Sequence, residues 1–561
     1  MQQPIQMLHN MFVADVFWLI LVVQSRSEKM DKIVLLGDEA IAQGALDGGI
    51  SGVYAYPGTP STEITEYIQR SKIAKERAIH SEWSANEKTA MEAALGMSYA
   101  GKRALVCMKH VGLNVAADAF INAAITGVHG GLVLLVADDP SMHSSQNEQD
   151  SRFYGKFAMV PVLEPANQQE CYDMTKKAFD LSEKYGLPVM VRITTRLAHS
   201  RSGISPGEVY PENAMKLPED RSQFILLPAF ARRRYKGLLE IQKLLERDAT
   251  EMGHNEMENG SDVSRGIVAC GIAYNYYREI AERHNLDHPV LKVSHYPVPK
   301  EMLRALAERT GELLILEEGY PMLEELLTGV LKMNYTICGR LNGAVPRDGE
   351  LNPQVVASAL GYEPNKRLEV PEVVANRPPA LCKGCSHIDM YNALNEALLS
   401  YGPGRVFSDI GCYTLGALPP YNAINSCVDM GASVTMAKGA SDAGLRPSVA
   451  VIGDSTFTHS GMTGLLDAVV EKTPVTVVIS DNSTTGMTGG QKSHATNRLV
   501  QICRGLGVEE EHLIEINPLK KNHVENREII SKELDYEGVS VIIASRECIQ
   551  TAIRRKKTTG K

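Results

Sequence analysis

The chain contains 561 residues, of which 44% are hydrophobic, and it carries a formal net charge of -9 at pH 7. This length exceeds what one hydrophobic core usually organises, so we expect several domains, and the negative charge argues against a general nucleic-acid-binding protein. Ten cysteines are too few for a disulfide scaffold of this size. The Cys382-x-x-Cys385 spacing instead indicates a reducing, cytoplasmic setting with metal or redox use of these thiols.

The amino-terminal region contains one candidate membrane segment, residues 11–23 (MFVADVFWLILVV). Its 13 residues include Asp15 and are too few to span a bilayer as a helix. The segment also lacks the basic flank and the small-residue cleavage site of a signal peptide. We therefore expect no membrane association, and we interpret residues 1–29 as an extension ahead of a folded domain that begins near Met30.

Residues 30–200 alternate between apolar runs and helical patterns, which predicts an α/β domain with a parallel sheet. The predicted strands are Val53–Tyr56, Arg103–Met108, Leu132–Ala137 and Pro188–Thr194, and predicted helices include Ser61–Arg70 and Ala116–Ile125. A further helix is predicted where Glu87 opens a run of small residues that ends at Gly96. The polar stretch 201–265 is interpreted as a linker that contains one helix.

Two further α/β units follow. Residues 266–365 show no catalytic constellation, and their predicted strands are Gly266–Ala269, Val290–Val293 and Leu313–Leu316. Residues 378–548 have predicted strands at Val406–Ser408, Val449–Ile452, Val475–Ile479 and Val539–Ile543. The basic tail, residues 549–561, is either a disordered, solvated end or a docking segment for an acidic, ferredoxin-like partner.

Two polar motifs in the last unit each follow a predicted strand. Gly453-Asp454-Ser455 comes first, and Asp481-Asn482 follows after an interval of 25 residues. A hard cation such as Mg²⁺ takes oxygen ligands and is commonly held by one or two side chains together with ligand phosphates. Asp454, Asn482 and the Thr484 carbonyl oxygen therefore form a candidate magnesium and diphosphate site, although each motif alone is also an ordinary turn sequence.

This spacing resembles the diphosphate-binding signature of thiamine diphosphate enzymes, which is written Gly-Asp-Gly followed by about 25 residues and Asn-Asn. Ser455 and Asp481 depart from that pattern, while the expected ligands remain. The resemblance implies that a buried glutamate in a separate domain meets the aminopyrimidine ring and promotes loss of the thiazolium C2 proton. Glu87, at the start of its small-residue helix, fits that role, although a helical glutamate is more often a solvated surface group.

Longer motifs define the resemblance further. They are YPGTPSTEI at 56–64, the segment 82–120, DDPSMHSSQNEQDSR at 138–152, LCKGCSH at 381–387, SDIGCYTLG at 408–416 and SDNSTTGMTGGQ at 480–491. Together they resemble the alpha subunits of indolepyruvate:ferredoxin oxidoreductases from Met30 to about Glu547. The resemblance implies three α/β domains: a thiamine pyrimidine-binding domain at 30–200, a transketolase C-terminal-like domain at 266–365 and a thiamine diphosphate-binding domain at 378–548.

The implied reaction is oxidative decarboxylation of aryl pyruvates, such as indolepyruvate, to aryl-acetyl-CoA and CO₂. It uses thiamine diphosphate, Mg²⁺ and coenzyme A, with ferredoxin as electron acceptor, and it implies a smaller beta subunit and an oligomeric enzyme. Two alternatives stay open: a non-oxidative thiamine-dependent 2-oxoacid decarboxylase or lyase, and a non-catalytic subunit of such a complex.

The resemblance also implies roles for individual residues. Thr59 matches a threonine near the reacting carbon in relatives, and the open alternative is an ordinary turn residue beside Pro60. Lys109 and His110 follow a predicted strand and either meet the substrate carboxylate or the cofactor, or serve as helix-cap and packing residues. The remaining cofactor-binding candidates are glycines and polar residues of the last domain: His387, expected at the diphosphate, with Gly411, Gly453 and Ser455.

The cysteines suggest one further cofactor. Cys382, Cys385 and Cys412 match three ligands of a proximal [4Fe-4S] cluster in related 2-oxoacid:ferredoxin oxidoreductases, and the candidates for the fourth ligand are Cys427, Cys503 and Cys548. The alternative is that these cysteines line the thiamine pocket. The alpha subunits of the family normally continue into a ferredoxin-like domain with CxxCxxCxxxCP runs, which the sequence does not contain. The resemblance then implies a separate cluster-bearing polypeptide, a truncated gene or another electron route.

Overall fold

The computed structural model describes residues 32–220, 222–328, 335–364, 370–375 and 379–559. The predicted extension 1–29 and its apolar segment lie outside these ranges. Within them, every helix is too short or too polar to cross a membrane. The expected α/β class is confirmed, because parallel sheets flanked by helices make up the described chain.

The first sheet arises from the amino-terminal third of the chain. Its strands and those of a small neighbouring ribbon are β1 (Ile33–Leu36), β2 (Gly52–Ala55), β3 (Ala104–Lys109), β4 (Leu132–Asp138), β5 (Val162–Leu163), β6 (Val189–Thr194) and β7 (Arg201–Ile204). Strands β2, β3, β4, β6 and β5 run parallel in that order, and β1 pairs antiparallel with β7. The intervening helices are Gly37–Asp47, Thr62–Arg70, Lys72–Glu76, Glu87–Tyr99, His110–Thr126, Arg152–Ala158, Gln168–Tyr185 and Thr195–His199.

The second sheet has the order β13-β12-β9-β10-β8. Its strands, with one that joins the first sheet, are β8 (Glu256–Glu258), β9 (Gly266–Cys270), β10 (Val290–Val293), β11 (His295–Tyr296), β12 (Glu312–Leu316) and β13 (Thr336–Cys338). Strand β11 crosses over and pairs antiparallel with β5. The helices of this part are Pro228–Glu251, Ala273–His284, Lys300–Ala307, Met322–Thr328 and Pro353–Ala359.

The segment 201–265 requires a correction. It contains the expected helix, Pro228–Glu251, but it begins with β7 and also contains β8, which pairs antiparallel with β10. Both strands have only three or four residues, and β7 exposes Arg201 and Ser202 to solvent. Their composition therefore gives no apolar run by which a strand could be recognised, and the interpretation as a linker was incomplete.

The third sheet is entirely parallel, in the order β15-β14-β16-β17-β21-β20. Its strands, with a short hairpin after β17, are β14 (Val406–Ser408), β15 (Ser426–Cys427), β16 (Val449–Gly453), β17 (Val475–Asp481), β18 (Thr484–Thr485), β19 (Gln491–Lys492), β20 (Leu513–Ile516) and β21 (Val539–Ser545). Its helices are Ser386–Leu398, Ala432–Asp442, Asp454–Thr456, a π-helical turn Phe457–Gly461, Met462–Glu471, Leu499–Gly505, His523–Leu534 and Ile549–Thr559.

The last helix corrects the expectation of a disordered tail. Residues 549–559 form a helix that starts directly after Cys548, and the Arg554 guanidinium donates a hydrogen bond to the Gly489 carbonyl oxygen. The tail is therefore packed beside the hairpin of the third sheet. Its basic side chains made a solvated end the natural expectation, since the tail contains few apolar residues.

Apolar side chains cover both faces of the first and third sheets. Neighbouring residues of one strand, Leu105 and Val106, belong to hydrophobic clusters on opposite faces, and Val451 and Ile452 do the same in the third sheet. Strands that are buried on both sides carry continuous apolar runs, which is why the sequence predicted them well. Since packed side chains occupy these faces, the carboxyl ends of the strands are the expected place for a ligand.

A buried ionic network joins the first sheet to the second. Arg192 on β6 and Arg152 are fully buried, and their guanidinium groups pair with Asp138, Asp150, Glu164 and Glu317. Arg192 also donates to the Glu318 carbonyl oxygen at 2.9 Å. Because a buried charge is costly unless it is paired and hydrogen-bonded, this network holds the two sheets in one fixed arrangement.

Candidate active site

One cavity of about 350 Å³ lies where the carboxyl ends of strands in the first and third sheets face each other. It is lined by the segments that follow β2, β3, β14, β16 and β17. Ligands of open α/β sheets bind at the carboxyl ends of the strands. The lining includes most of the predicted site residues: Thr59, Glu87, Lys109, Gly411, Cys412, Gly453, Asp454, Ser455, Asn482 and Thr484.

The Asp454 carboxyl group is buried and incompletely hydrogen-bonded, which suits it to bind a cation. It is 2% exposed, and its Oδ2 atom has no hydrogen-bond partner. Burial raises its pKa to about 7, helped by the neighbouring Asp481 charge and opposed by a hydrogen bond from Ser493. The carboxylate, the Asn482 side-chain amide and the Thr484 carbonyl are oxygen donors that suit Mg²⁺, and a cation here would relieve the cost of burying the charge.

Ser455 occupies the position at which the thiamine signature has a glycine. Its Oγ lies 2.9 Å from Thr485 Oγ1, so the hydroxyl links the loop after β16 to the hairpin after β17. Gly453 and Gly411 serve a different purpose, because a Cβ atom at either position would lie within 2.5 Å of the Tyr413 ring. These glycines let Tyr413 pack beneath the loops that line the cavity.

Asp409, which the sequence argument overlooked, anchors this part of the site. Its Oδ2 accepts hydrogen bonds from the backbone N–H groups of Gly431 and Ser433, both at 3.2 Å, and its Oδ1 accepts one from Tyr413. Burial raises the pKa of Asp409 to about 6 against the lowering effect of these bonds. The available signal was its place directly after β14, two residues before Gly411.

Glu87 enters the cavity from the first sheet and meets a histidine from the third. Its Oε2 lies 2.8 Å from His459 Nε2, and both side chains are buried. The Asn86 side chain donates to the His459 carbonyl oxygen at 2.9 Å. Gly112 leaves room for the carboxyl group, since a Cβ there would lie 2.5 Å from Glu87 Oε1. The two halves of the cavity thus come from one chain.

His459, which was not among the residues predicted from the sequence, lies in the π-helical turn after Gly453-Asp454-Ser455. Its Nδ1 is 2.6 Å from Ser460 Oγ, and Ser460 is partly exposed. Its ring packs edge-on against Tyr56, with centroids 4.8 Å apart. Glu87, His459 and Ser460 therefore form a continuous hydrogen-bonded path from the cavity toward solvent.

Lys109 is the one cationic side chain among the lining residues of this cavity within the described chain. Its ammonium group donates to Ser144 O at 2.7 Å, and burial lowers its pKa to about 8, opposed by the charge of Asp139. Thr59 also lines this cavity. His110 does not line it, and its Nε2 atom instead lies 3.2 Å from the Asn147 carbonyl oxygen.

A second cavity of about 120 Å³ adjoins the first and shares Cys412, Asn482 and Gly486 with it. Its lining contains four cysteines: Cys382, Cys385, Cys412 and Cys548. Of the three candidates for a fourth ligand, only Cys548 lines it in the described chain. Cys503 is buried in a hydrophobic cluster, and Cys427 is exposed near the Asp409 carbonyl oxygen.

His387 belongs to this second cavity and not to the lining of the first. Its Nδ1 lies 3.2 Å from Cys385 Sγ, and its buried Nε2 has no hydrogen-bond partner. Burial lowers the pKa of the ring to about 4, so it is neutral at pH 7. A contact between His387 and the diphosphate stays a prediction, with the neutral ring as a hydrogen-bonding group and not a cation.

Two parallel sheets face one cavity, with a buried glutamate on one side and an Asp454–Asn482 pair on the other, and this arrangement defines a thiamine diphosphate enzyme. Residues 43–258 match the family of pyruvate flavodoxin/ferredoxin oxidoreductases, thiamine diphosphate-binding, and residues 409–542 match the C-terminal TPP-binding domain of thiamine pyrophosphate enzymes. More narrowly, the chain belongs to the family of indolepyruvate oxidoreductase subunits IorA.

The relatives match along nearly the whole chain. The IorA subunit of Archaeoglobus fulgidus is 38% identical over 96% of this chain and 89% of its own length. The IorA subunit of Pyrococcus horikoshii is 37% identical over 95% of this chain and 88% of its own length. A solved 2-oxoglutarate:ferredoxin oxidoreductase from Magnetococcus marinus aligns over 60% of this chain and 66% of its own, with 18% identity and a TM-score of 0.46.

We expect Asp454→Asn to weaken magnesium-dependent binding of thiamine diphosphate by about 10-fold or more, because the substitution removes the anionic ligand of a divalent ion. Titration calorimetry with and without Mg²⁺ measures this. The matched control is Asp481→Asn, since Asp481 accepts hydrogen bonds from Ser483 and Ser545 in a turn beside the cavity. Equal affinities of the two variants would contradict the assignment.

Proposed function

We propose that this chain is the catalytic alpha subunit of an oxidoreductase that decarboxylates aryl pyruvates, such as indolepyruvate, with coenzyme A to give aryl-acetyl-CoA and CO₂. Ferredoxin accepts the electrons, and a smaller beta subunit completes the enzyme. The observation that carries the proposal is the placement of Glu87 and Asp454 on opposite sides of one cavity within a single chain. The names of the IorA relatives support the choice of substrate.

The cofactor is held at both ends in this proposal. Asp454, Asn482 and the Thr484 carbonyl would hold Mg²⁺ beside the diphosphate, and Gly411, Gly453 and Ser455 line the same cavity. Bound thiamine diphosphate supplies a nucleophilic carbon for the 2-oxo group and a sink for the electron pair left by CO₂. Glu87, on the opposite wall, faces the aminopyrimidine end.

Glu87 would hold or release a proton at Oε2 on the aminopyrimidine side of bound cofactor, and His459 would give that proton a route out. The Glu87 Oε2 to His459 Nε2 distance of 2.8 Å permits direct transfer, and Nδ1 of the same ring contacts Ser460 Oγ at 2.6 Å. An imidazole passes a proton by accepting at one nitrogen and donating at the other. His459 also fixes the orientation of the Glu87 carboxyl group.

The substrate end of the cavity combines one cation with apolar surface. The Lys109 ammonium group attracts the carboxylate of the 2-oxoacid, and Thr59 lies in the same lining. Apolar side chains suited to an aromatic substituent are Val111, Ile410, Met430 and Met487. Methionine side chains are adaptable and contact aromatic rings favourably, which suits a range of aryl groups.

The cysteine cavity is the proposed site of one [4Fe-4S] cluster. Clusters of this kind are held by four thiolates. The lining of the second cavity supplies four thiols, Cys382, Cys385, Cys412 and Cys548, which is the number that such a cluster needs. Cys412 borders both cavities, so a cluster bound here would lie beside the cofactor.

The helix Ile549–Thr559 begins beside this cavity, since Cys548, Ile549 and Arg554 all line it. The helix also carries Lys556 and Lys557, which are exposed. Basic side chains on a helix that begins at the cysteine cavity would offer an acidic, ferredoxin-like partner a docking surface near the cluster, because complementary charge favours such an encounter.

The function is tested by anaerobic purification with the smaller subunit and an assay of indolepyruvate- and coenzyme A-dependent viologen reduction. We expect Glu87→Gln to lower kcat by about 100-fold or more, because the amide cannot exchange the proton. Glu92→Gln, an exposed position on the same helix, is the matched control. We expect His459→Gln to lower kcat less and to leave KM unchanged.

Three results would contradict the proposal in different ways. Full activity of Glu87→Gln would make this chain a non-catalytic subunit. Release of aldehyde and CO₂ without viologen reduction would make it a non-oxidative decarboxylase. An enzyme that oxidises other 2-oxoacids but not aryl pyruvates would refute the substrate class alone.

Lys109 gives the reaction a pH dependence. With a pKa of about 8, the ammonium group loses its proton and its attraction for the substrate carboxylate as the pH rises through 8. We expect kcat/KM for indolepyruvate to fall above that pH. Lys109→Arg keeps its positive charge at higher pH, so the fall in kcat/KM moves to higher pH. Lys109→Met has no charge at this position, so kcat/KM is lower at every pH. A fall that persists unchanged in both variants would assign it to another group.

We expect Cys548→Ser to abolish the proximal cluster, so that the chain, separated from its partner, loses about four irons and the matching sulfide. Iron and acid-labile sulfide analysis of anaerobically purified protein measures this. Cys503→Ser is the control, because Cys503 lies in a hydrophobic cluster away from the cavity. Equal iron content in wild type and both variants would exclude Cys548 as a ligand.

A further inference from the structure

A group of ligand-type side chains lies behind the loop that carries Thr59, separate from both cavities. Asp38, Glu63 and His199 place one donor atom each within 4.8 Å of one another. They come from three different helices, Gly37–Asp47, Thr62–Arg70 and Thr195–His199. Two carboxylates and an imidazole that converge from separate helices form the kind of donor set that binds first-row divalent metals.

The Asp38 carboxyl group has no other neutralising partner. It is fully buried, and neither of its oxygens forms a hydrogen bond among the described residues. Glu63 Oε2 is likewise buried without a partner. Burial, together with the charges of Glu63 and Glu39, raises the pKa of Asp38 well above its ordinary value. An isolated buried carboxylate must either take up a proton or meet a cation.

The other two ligands leave access for a metal from solvent. The Glu63 and His199 side chains are 38% and 37% exposed, and His199 Nε2 lies 3.8 Å from Glu63 Oε1. Asp38 is the buried member of the three, and the partly exposed Glu63 and His199 lie on its solvent side. The exposed side leaves coordination positions for water, so the site accommodates a metal with more than three ligands.

We infer that Asp38, Glu63 and His199 bind a structural divalent cation, with Zn²⁺ as the probe of choice. Imidazole favours Zn²⁺ over Mg²⁺, whereas the magnesium ligands at Asp454 and Asn482 are all oxygens. The bound ion neutralises Asp38 and ties together three helices. One of these helices starts at Thr62, three residues after the segment 56–59 that lines the active-site cavity, so the ion would help to hold that wall of the site in place.

The test uses the full enzyme, anaerobically purified with its partner, loaded with thiamine diphosphate and Mg²⁺, and stripped of loosely bound metal. Equilibrium dialysis against Zn²⁺, followed by metal analysis, counts the ions bound per chain. We expect wild type to bind one equivalent more than Asp38→Asn or His199→Gln, and Zn²⁺ to raise its thermal midpoint more than theirs, because the ion binds only the folded state. Asp467→Asn, at an exposed position, is the matched control.

The alternative is a protonated Asp38, and the same variants distinguish it. Asparagine mimics a neutral carboxylic acid, so a protonated Asp38 predicts equal zinc content and equal thermal midpoints for wild type and Asp38→Asn. That result would overturn the inference. His199→Gln changes a partly exposed residue and keeps the comparison valid if Asp38→Asn does not fold. Neither readout depends on turnover, so failure here leaves the proposed reaction untouched.

Discussion

The contact between Glu87 and His459 is the interaction on which the site depends. It joins the helix of the first sheet to the turn after the diphosphate motif of the third sheet at 2.8 Å, and Asn86 adds a second bond to the same turn. Separating the two halves would leave buried polar groups unpaired, at a cost of about 1–3 kcal/mol each. The bond therefore fixes the width of the cavity and, at the same time, the position of the Glu87 carboxyl group.

The loop after β14 couples the two cavities. Asp409 holds it by hydrogen bonds from Gly431, Ser433 and Tyr413, and the following residues, Gly411 and Cys412, face the thiamine cavity. Cys412 also faces the cysteine cavity. Cys412 would therefore lie between the cofactor and a cluster held by the second cavity, whereas the hydrogen-bonded path from Glu87 through His459 involves neither Cys412 nor the other cysteines.

Sequence patterns predicted the buried parallel strands closely, since Val290–Val293 and Val406–Ser408 have the bounds expected from their apolar runs. Asp454 was predicted from its place at a strand end, and Glu87 was predicted from the resemblance to thiamine enzymes; both line one cavity. The strand Arg201–Ile204 was missed because it is short and partly exposed. His459 and Cys548 could not be assigned, because their partners are brought close only by the tertiary fold.

The central claim is that one chain supplies both halves of its thiamine site. It is tested most directly by co-expressing two differently tagged inactive chains, Glu87→Gln and Asp454→Ala, and purifying only the assemblies that contain both tags. Viologen reduction with indolepyruvate and coenzyme A is then measured. If each site lies within one chain, every site in the mixed assembly carries a defect and activity stays at the level of the single variants. Recovery of a substantial fraction of wild-type activity would show that sites form between chains and would contradict the account.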